Sequence, residues 1–196
     1  MTSSRCLILM SIASLLLLSG CTKNLKYESR RLTPLTRATA HSSQTKENVT
    51  VSVKSFDTSD QTYYFGQKSN DLHPVQITIS NDSDTVWVLS RERISLPLAD
   101  TAAVAGKYKA SGWASVALGI LSWPLGIMHG YMSHTANKEI EADIADKSIE
   151  TSAIINPESY RNAVLFSRSD NELQRFTVTL IDADNPSHTL NFNLSA

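Results

Sequence analysis

Apolar and polar side chains alternate in several short stretches of this chain, and that period of two constrains the fold more than any other feature. Such alternation places successive side chains on opposite faces of a strand, so each stretch predicts a strand with one buried face. The clearest stretches are residues 49–53, 75–79, 85–89, 176–180 and 190–194. Turn-forming residues such as Asn81-Asp82-Ser83-Asp84 separate them. We predict a mainly β fold, a β-sandwich of six to seven strands with a core of Val, Ile, Leu and Phe.

A stretch of another kind lies between the two groups of strands. Residues 112–132 contain no Asp, Glu, Lys or Arg, and small residues recur there at a spacing that lets helices pack closely. Residues 136–149 have apolar positions on one helical face and charged positions on the other, which indicates an amphipathic helix. With a break at Pro124, the pattern predicts an α-helical hairpin over about 102–150 that interrupts a domain of residues 48–196.

The apolar half of this hairpin has three possible fates. It can pack as core, enter or lie on a membrane, or bind a partner protein. In the last two cases its large apolar side chains would form the candidate interaction or membrane surface: Trp113, Leu118, Leu121, Trp123, Leu125 and Ile127. All three fates agree with the sequence.

The N-terminal residues predict an export signal. Arg5 precedes an apolar run from Cys6 to Leu18. The last residue of this run begins the tetrapeptide Leu18-Ser19-Gly20-Cys21. A short positive region, a short apolar region and small residues at the cut are typical of a secretory signal peptide. Leu18, Ser19, Gly20 and Cys21 together resemble the lipobox of bacterial lipoproteins, whose leader is removed and whose cysteine is acylated. The resemblance implies a signal peptide over residues 1–20 and a lipid-modified, palmitate-bearing Cys21 that attaches the chain to a bilayer.

The lipobox accounts for both cysteines of the chain. Cys6 would leave with the leader and Cys21 would be acylated, so no thiol would remain for a disulfide, a metal or a nucleophile. The following segment has six basic residues between positions 22 and 46, against Glu28 alone. We predict that residues 21–47 comprise the acylated cysteine and a flexible basic tether. Alternatively, its basic residues could lie against anionic headgroups.

A second resemblance concerns the fold. The segment 74–84, Pro-Val-Gln-Ile-Thr-Ile-Ser-Asn-Asp-Ser-Asp, and the segment 155–166 with its proline-led turn are similar to small Ig-like domains in uncharacterised bacterial lipoproteins. Asn162 and Glu158 stand where those domains usually have glycine. The resemblance implies an Ig-like sandwich and brings no catalytic residue with it.

The sequence shows no nucleophile elbow, zinc-protease helix or phosphate-binding loop. The chain after Glu47 is acidic overall, which disfavours nucleic-acid binding. We therefore predict no enzyme activity, cofactor, metal site or small-molecule substrate. The predicted function is a non-enzymatic protein-interaction module that binds another cell-envelope protein. The alternative is a structural or membrane-inserting lipoprotein in which residues 112–132 enter the bilayer, and an enzyme of unknown class ranks third. Thr22 after Cys21 resembles lipoproteins sorted to the outer membrane and facing the periplasm, if the source has two membranes.

Overall fold

The computed structural model describes residues 27–109, 123–168 and 175–196, with the backbone alone for residues 123–133. The chain divides into two units, residues 1–28 with 109–140 and residues 29–108 with 141–196. The described residues contain eight strands and three helices: β1 (Ser42–Lys46), β2 (Val49–Ser55), α1 (Thr58–Phe65), β3 (His73–Asn81), β4 (Trp87–Ile94), α2 (Thr101–Tyr108), α3 (Trp123–Lys147), β5 (Ser152–Ile155), β6 (Ser159–Ser167), β7 (Arg175–Asp182) and β8 (Thr189–Ser195).

The strands form two antiparallel sheets of four. Sheet 1 has the order β1-β2-β3-β6, and sheet 2 has the order β5-β4-β7-β8. The prediction of a mainly β fold is confirmed, but the described residues hold eight strands rather than six or seven. Strands β1 and β5 were not predicted, and both lie at sheet edges. Edge strands are often short or polar, and these read Ser-Ser-Gln-Thr-Lys and Ser-Ala-Ile-Ile, so neither gives a clear alternating signal.

One hydrophobic core lies between the sheets. The alternating positions predicted for β2 and β3 are buried in it, as are the equivalent positions of β7 and β8. Trp87 and Leu89 of β4 are also almost completely buried there. Because residues from both sheets form a single cluster, each sheet buries its apolar face against the other.

The predicted tether, residues 21–47, extends too far along the chain. β1 lies inside it and pairs with β2 over five residues, with side-chain hydrogen bonds of 2.9 Å for both Ser43–Ser52 and Thr45–Thr50. Polar side chains satisfy this pairing, so the strand forms without the apolar period on which the prediction depended. The ordered domain therefore begins well before residue 48.

Helices α1 and α2 supply aromatic side chains that pack on β6. Asp57 caps α1 by accepting from the backbone N–H of Asp60 at 2.7 Å, and the Asp60 carboxylate accepts from the Asp57 N–H, a reciprocal capping box. The ring of Phe65 lies 5.4 Å from that of Phe166 and 5.0 Å from that of Tyr108. This aromatic cluster buries the side of sheet 1 that faces away from the main core.

Along the chain, helices α2 and α3 follow β4 and precede β5. A helical insertion was predicted in this part of the chain, over residues 102–150. Residues 110–122 lie outside the described residues, and with them Trp113, Leu118 and Leu121. Pro124 lies in the first turn of α3, a position where the missing N–H costs no helical hydrogen bond. The described residues do not show the predicted hairpin, because its first arm falls largely on residues outside them. Trp123, Leu125 and Ile127 lie in the first two turns, where only the backbone is described. Among the described residues, no helix is both long and apolar enough to cross a membrane.

Candidate protein-interaction surface

Three aliphatic side chains form a row across the outer face of sheet 2. Val88 of β4 is directly opposite Ile154 of β5 on one side and Ile181 of β7 on the other. Its neighbours Trp87 and Leu89 point into the core, so Val88 points outward with its two partners. Ile154 is 65% exposed, and Val88 and Ile181 are half-buried. We call these three residues the aliphatic row.

The neighbouring positions on this face are polar. Thr177 donates to the side chain of Asn193 at 3.0 Å, and Thr179 donates to that of Asn191 at 2.7 Å. These pairs are directly opposite one another on β7 and β8, where cross-strand side chains are close enough to bond. Their polarity makes the aliphatic row a distinct patch, and exposed apolar patches bounded by polar residues are typical of binding surfaces.

The two edges of sheet 2 differ. At β8, Gln44 donates to the Asn193 carbonyl at 2.6 Å and accepts from its N–H at 3.1 Å, while Lys46 donates to the Asn191 carbonyl. These side chains of β1 occupy backbone groups that another strand would need. At the opposite edge, β5 pairs with β4 alone among the described strands. The edge beside Ile154 is therefore the one available for strand addition.

A groove continues from the row along β4. Ser90, two residues beyond Val88, lines a cavity of about 420 Å³ together with Arg91, Glu92, Leu96, Leu98, Glu150 and Thr151. A second cavity of about 590 Å³ shares three of these residues, Arg91, Leu98 and Glu150. Because they share a wall, the two cavities form one mixed apolar and charged groove, which lies beside the chain entering β5.

Arg91 holds the groove in shape. Its guanidinium donates to the Ile149 carbonyl at 3.2 Å and to the Ala99 carbonyl at 2.6 Å. The first carbonyl follows α3 and the second precedes α2. The Arg91 side chain thus holds two segments in place, the one that leads into α2 and the one that leads from α3 to β5.

A charged cluster of His188, Asp182 and Glu47 lies next to Ile181, at one end of the domain. His188 contacts Asp182 through Nδ1 at 3.1 Å and Glu47 through Nε2 at 3.0 Å, and its ring lies edge-on to Trp87 at 5.0 Å. The bond to Asp182 is the main cause of a raised His188 pKa. Backbone N–H bonds, first from Asp184, lower the pKa of Asp182, helped by the His188 bond. The cluster joins the β1–β2 turn to the β7–β8 turn.

We expect His188 to make stability depend on pH. A histidine whose pKa is raised by folding contributes stability that is fully present below its unfolded pKa, near 6.5, and is lost as pH rises through its folded value. Asp182 behaves in the opposite sense, because its lowered pKa gives stability above about 3.8 that is lost as pH falls further. Urea unfolding midpoints measured across pH 6.5 should fall with rising pH for the natural chain, and much less for His188→Gln. Equal slopes for the two proteins would show that His188 does not stabilise the fold through this contact.

The side chains of the charged cluster bond to one another and to nearby backbone groups. Among the described residues, no group of three or more His, Cys, Asp or Glu is placed to hold a metal ion. Both ring nitrogens of His188 face carboxylates, and the turn chemistry of Asp182 accounts for its bonds to the backbone N–H groups of Asp184 and Asn185.

The residues of this surface were not singled out from the sequence. Alternation around Trp87 and Leu89 gives the outward direction of Val88, but the row depends on register with Ile154 and Ile181, which are distant along the chain. The residues that resemble a lipobox, Leu18, Ser19, Gly20 and Cys21, lie outside the described residues. No protein-family model, curated protein or solved structure matches the chain.

Proposed function

We propose that the protein is an envelope lipoprotein, anchored through acylated Cys21, whose folded domain binds another envelope protein without catalysing a reaction. The observation that carries the proposal is the aliphatic row, which lies beside the open edge of β5. The lipobox, Leu18 to Cys21, supports the membrane anchor. If the source has two membranes, we place the domain at the outer membrane, facing the periplasm.

We further propose that the domain is Ig-like. In that fold one sheet has the strand order G-F-C-C′ and the other contains A, B and E side by side. The order β8-β7-β4-β5 agrees with the first sheet, and β2-β3-β6 agrees with the second. Among the described strands the chain passes from one sheet to the other three times, between β3 and β4, between β5 and β6, and between β6 and β7. On this assignment the proposed helical hairpin, residues 102–150, is an insertion between strands C and C′.

Binding would combine two modes. An extended partner segment can add to the β5 edge through backbone hydrogen bonds, which supply affinity with little dependence on sequence. Its apolar side chains would contact Ile154 and Val88, which supply the hydrophobic part. The groove fixed by Arg91 then accepts the continuing chain beside Leu96 and Leu98. A partner that presents an exposed strand with alternating apolar residues fits this surface.

The test is a photo-crosslinking residue placed at position 154 in the full-length chain in cells. We expect a discrete crosslink to one heterologous envelope protein, because Ile154 is the most exposed member of the row. Val88→Lys should weaken that crosslink strongly, since it puts a charge at the centre of the row. Cys21→Ala should also reduce it, because the unanchored chain no longer shares a membrane surface with the partner.

The matched control carries the crosslinker at Asn191, an exposed position of the same sheet beside the blocked edge. The proposal requires position 154 to capture the partner and position 191 not to. Crosslinks only between copies of this chain, or equal yields from both positions, would contradict it. Acylation is read separately, as the mass of a lipid-modified N-terminal peptide that Cys21→Ala abolishes.

A further inference from the structure

The segment that follows the anchor is bound to sheet 1 from residue 29 onward. Gln76 donates to the Thr33 carbonyl at 2.6 Å, and Asn162 donates to the Leu32 carbonyl at 3.3 Å. The backbone N–H of Leu35 donates to the Thr78 hydroxyl at 3.0 Å. At its start, the Ser29 hydroxyl donates to Asp143. Residues 29–35 therefore belong to the folded unit and do not act as a tether.

This contact shortens the connection to the bilayer. Eight residue steps separate Cys21 from Ser29, and a fully extended chain of that length reaches at most about 29 Å. An anchor at Cys21 therefore keeps the surface around Ser29 within about 29 Å of the headgroups. The connection thus selects which face of the domain meets the membrane.

The surface around Ser29 is rich in arginine. Arg30, Arg31 and Arg161 line a cavity of about 300 Å³ together with Ser29, Leu32, Asp143, Asp146, Lys147 and Asn162. Lys147 and Asp143 bond to each other, and three of the other lining residues are arginines. We call Arg30, Arg31 and Arg161 the arginine face.

Tyr63 extends the same surface. The Arg30 guanidinium lies 4.1 Å from the centre of the Tyr63 ring, and Tyr63 is 55% exposed. Tyrosine combines an apolar ring with a polar tip, and for that reason it is enriched where proteins meet the membrane–water interface. Arg30 and Tyr63 therefore place a positive charge and an aromatic ring side by side, and both groups can contact lipid headgroups.

We infer that the arginine face docks on an anionic bilayer surface, which would hold the domain in one orientation relative to the membrane. The inference rests on the proposed anchor at Cys21. Each arginine near such a surface favours the docked state roughly five-fold, so three favour it on the order of 100-fold. The short connection makes docking intramolecular, and this modest attraction is then sufficient. The aliphatic row, on the outer face of the other sheet, would point away from the membrane.

The experiment supplies the anchor chemically. The chain from Cys21 to Ala196 contains one thiol, which can be coupled to a maleimide lipid in vesicles of phosphatidylcholine alone or with one third phosphatidylglycerol. Hydrogen exchange is then compared between the two vesicles. We expect residues 29–32 and 159–163 to exchange several-fold more slowly on the anionic vesicles, and the difference to disappear at high salt.

Two triple variants separate this face from general charge. Arg30→Gln with Arg31→Gln and Arg161→Gln should abolish the difference, while Arg93→Gln with Arg168→Gln and Arg175→Gln should preserve it at the same net charge. Equal exchange of the natural chain on both vesicles would overturn the inference, as would protection at sheet 2 instead. The salt comparison needs no variant, so a folding defect cannot hide the answer. The maleimide coupling does not depend on acylation in cells. Whether the proposed anchor exists in cells is therefore tested separately, by the mass of the lipid-modified N-terminal peptide.

Discussion

Replacing Lys147 with methionine is expected to destabilise the fold by about 3–5 kcal/mol. Lys147 and Asp143 lie one turn apart on α3, and their side chains are only 4% and 3% exposed. The lysine ammonium bonds the Asp143 carboxylate and lies 5.8 Å from the centre of the Phe65 ring. Burial lowers the pKa of Lys147, and its bond to Asp143 opposes that shift. Methionine keeps the length of the side chain but removes the ammonium that bonds the buried Asp143 carboxylate.

The free energy of unfolding in urea measures this effect. Lys138→Met is the matched control, because Lys138 is exposed on the same helix and should change stability by no more than about 0.5 kcal/mol. The double variant Asp143→Leu with Lys147→Met should recover most of the loss, since replacing both members of a buried pair by apolar groups is often neutral. If Lys147→Met alone is as stable as the natural chain, the buried pair contributes nothing to the fold.

Asn81→Asp is expected to have a comparable effect. Asn81 ends β3 and is completely buried. Its amide nitrogen donates to the Thr85 carbonyl at 2.8 Å and to the Ile155 carbonyl at 3.2 Å, while its oxygen accepts from the Ser83 backbone and hydroxyl. One side chain therefore ties the β3–β4 turn to β5, in the other sheet. Aspartate has the same shape but cannot donate when ionised, so a carboxylate would face two carbonyl oxygens.

The expected loss is about 3–5 kcal/mol at neutral pH, as for other buried charges left without a partner. It should become smaller in acid, because a protonated carboxyl can donate to one of the two carbonyls. Urea unfolding at neutral and mildly acidic pH tests both statements. Asp82→Asn is the control, an exposed change of one charge at the next position. A variant whose stability does not improve on acidification would argue against a buried carboxylate at this site.

The strands that alternate were predictable because burial on one face leaves a period of two in the sequence. Residues 49–53 and 190–194 show it clearly, and their apolar positions are buried in the structure. β1 was missed because Ser43 and Thr45 bond across to β2 through hydroxyl groups, which leaves no apolar signal. Helix α1 did leave signals in the sequence, namely the Asp57–Asp60 capping box and Gly66 in the left-handed region at its end.

The candidate surfaces were harder to predict, because each depends on contacts between distant residues. The aliphatic row exists only if Val88 is in register with Ile154 and Ile181, and register is set by pairing across the whole sheet. The arginine face likewise joins Arg30 to Arg161 across the fold. A single sequence specifies neither pairing, although it contains every residue involved.

The blocked edge of sheet 2 limits how copies of this protein can associate when they are concentrated together. Proteins tethered to one bilayer are concentrated in a plane, where open sheet edges readily meet and can propagate head to tail. Gln44 and Lys46 cover the β8 edge, so this sheet can be extended from β5 alone. A sheet with one usable edge can form a closed pair but cannot grow into a filament. Two side chains of an edge strand would thereby limit self-association through this sheet to a dimer, even at the high local concentration that the proposed membrane anchor would produce.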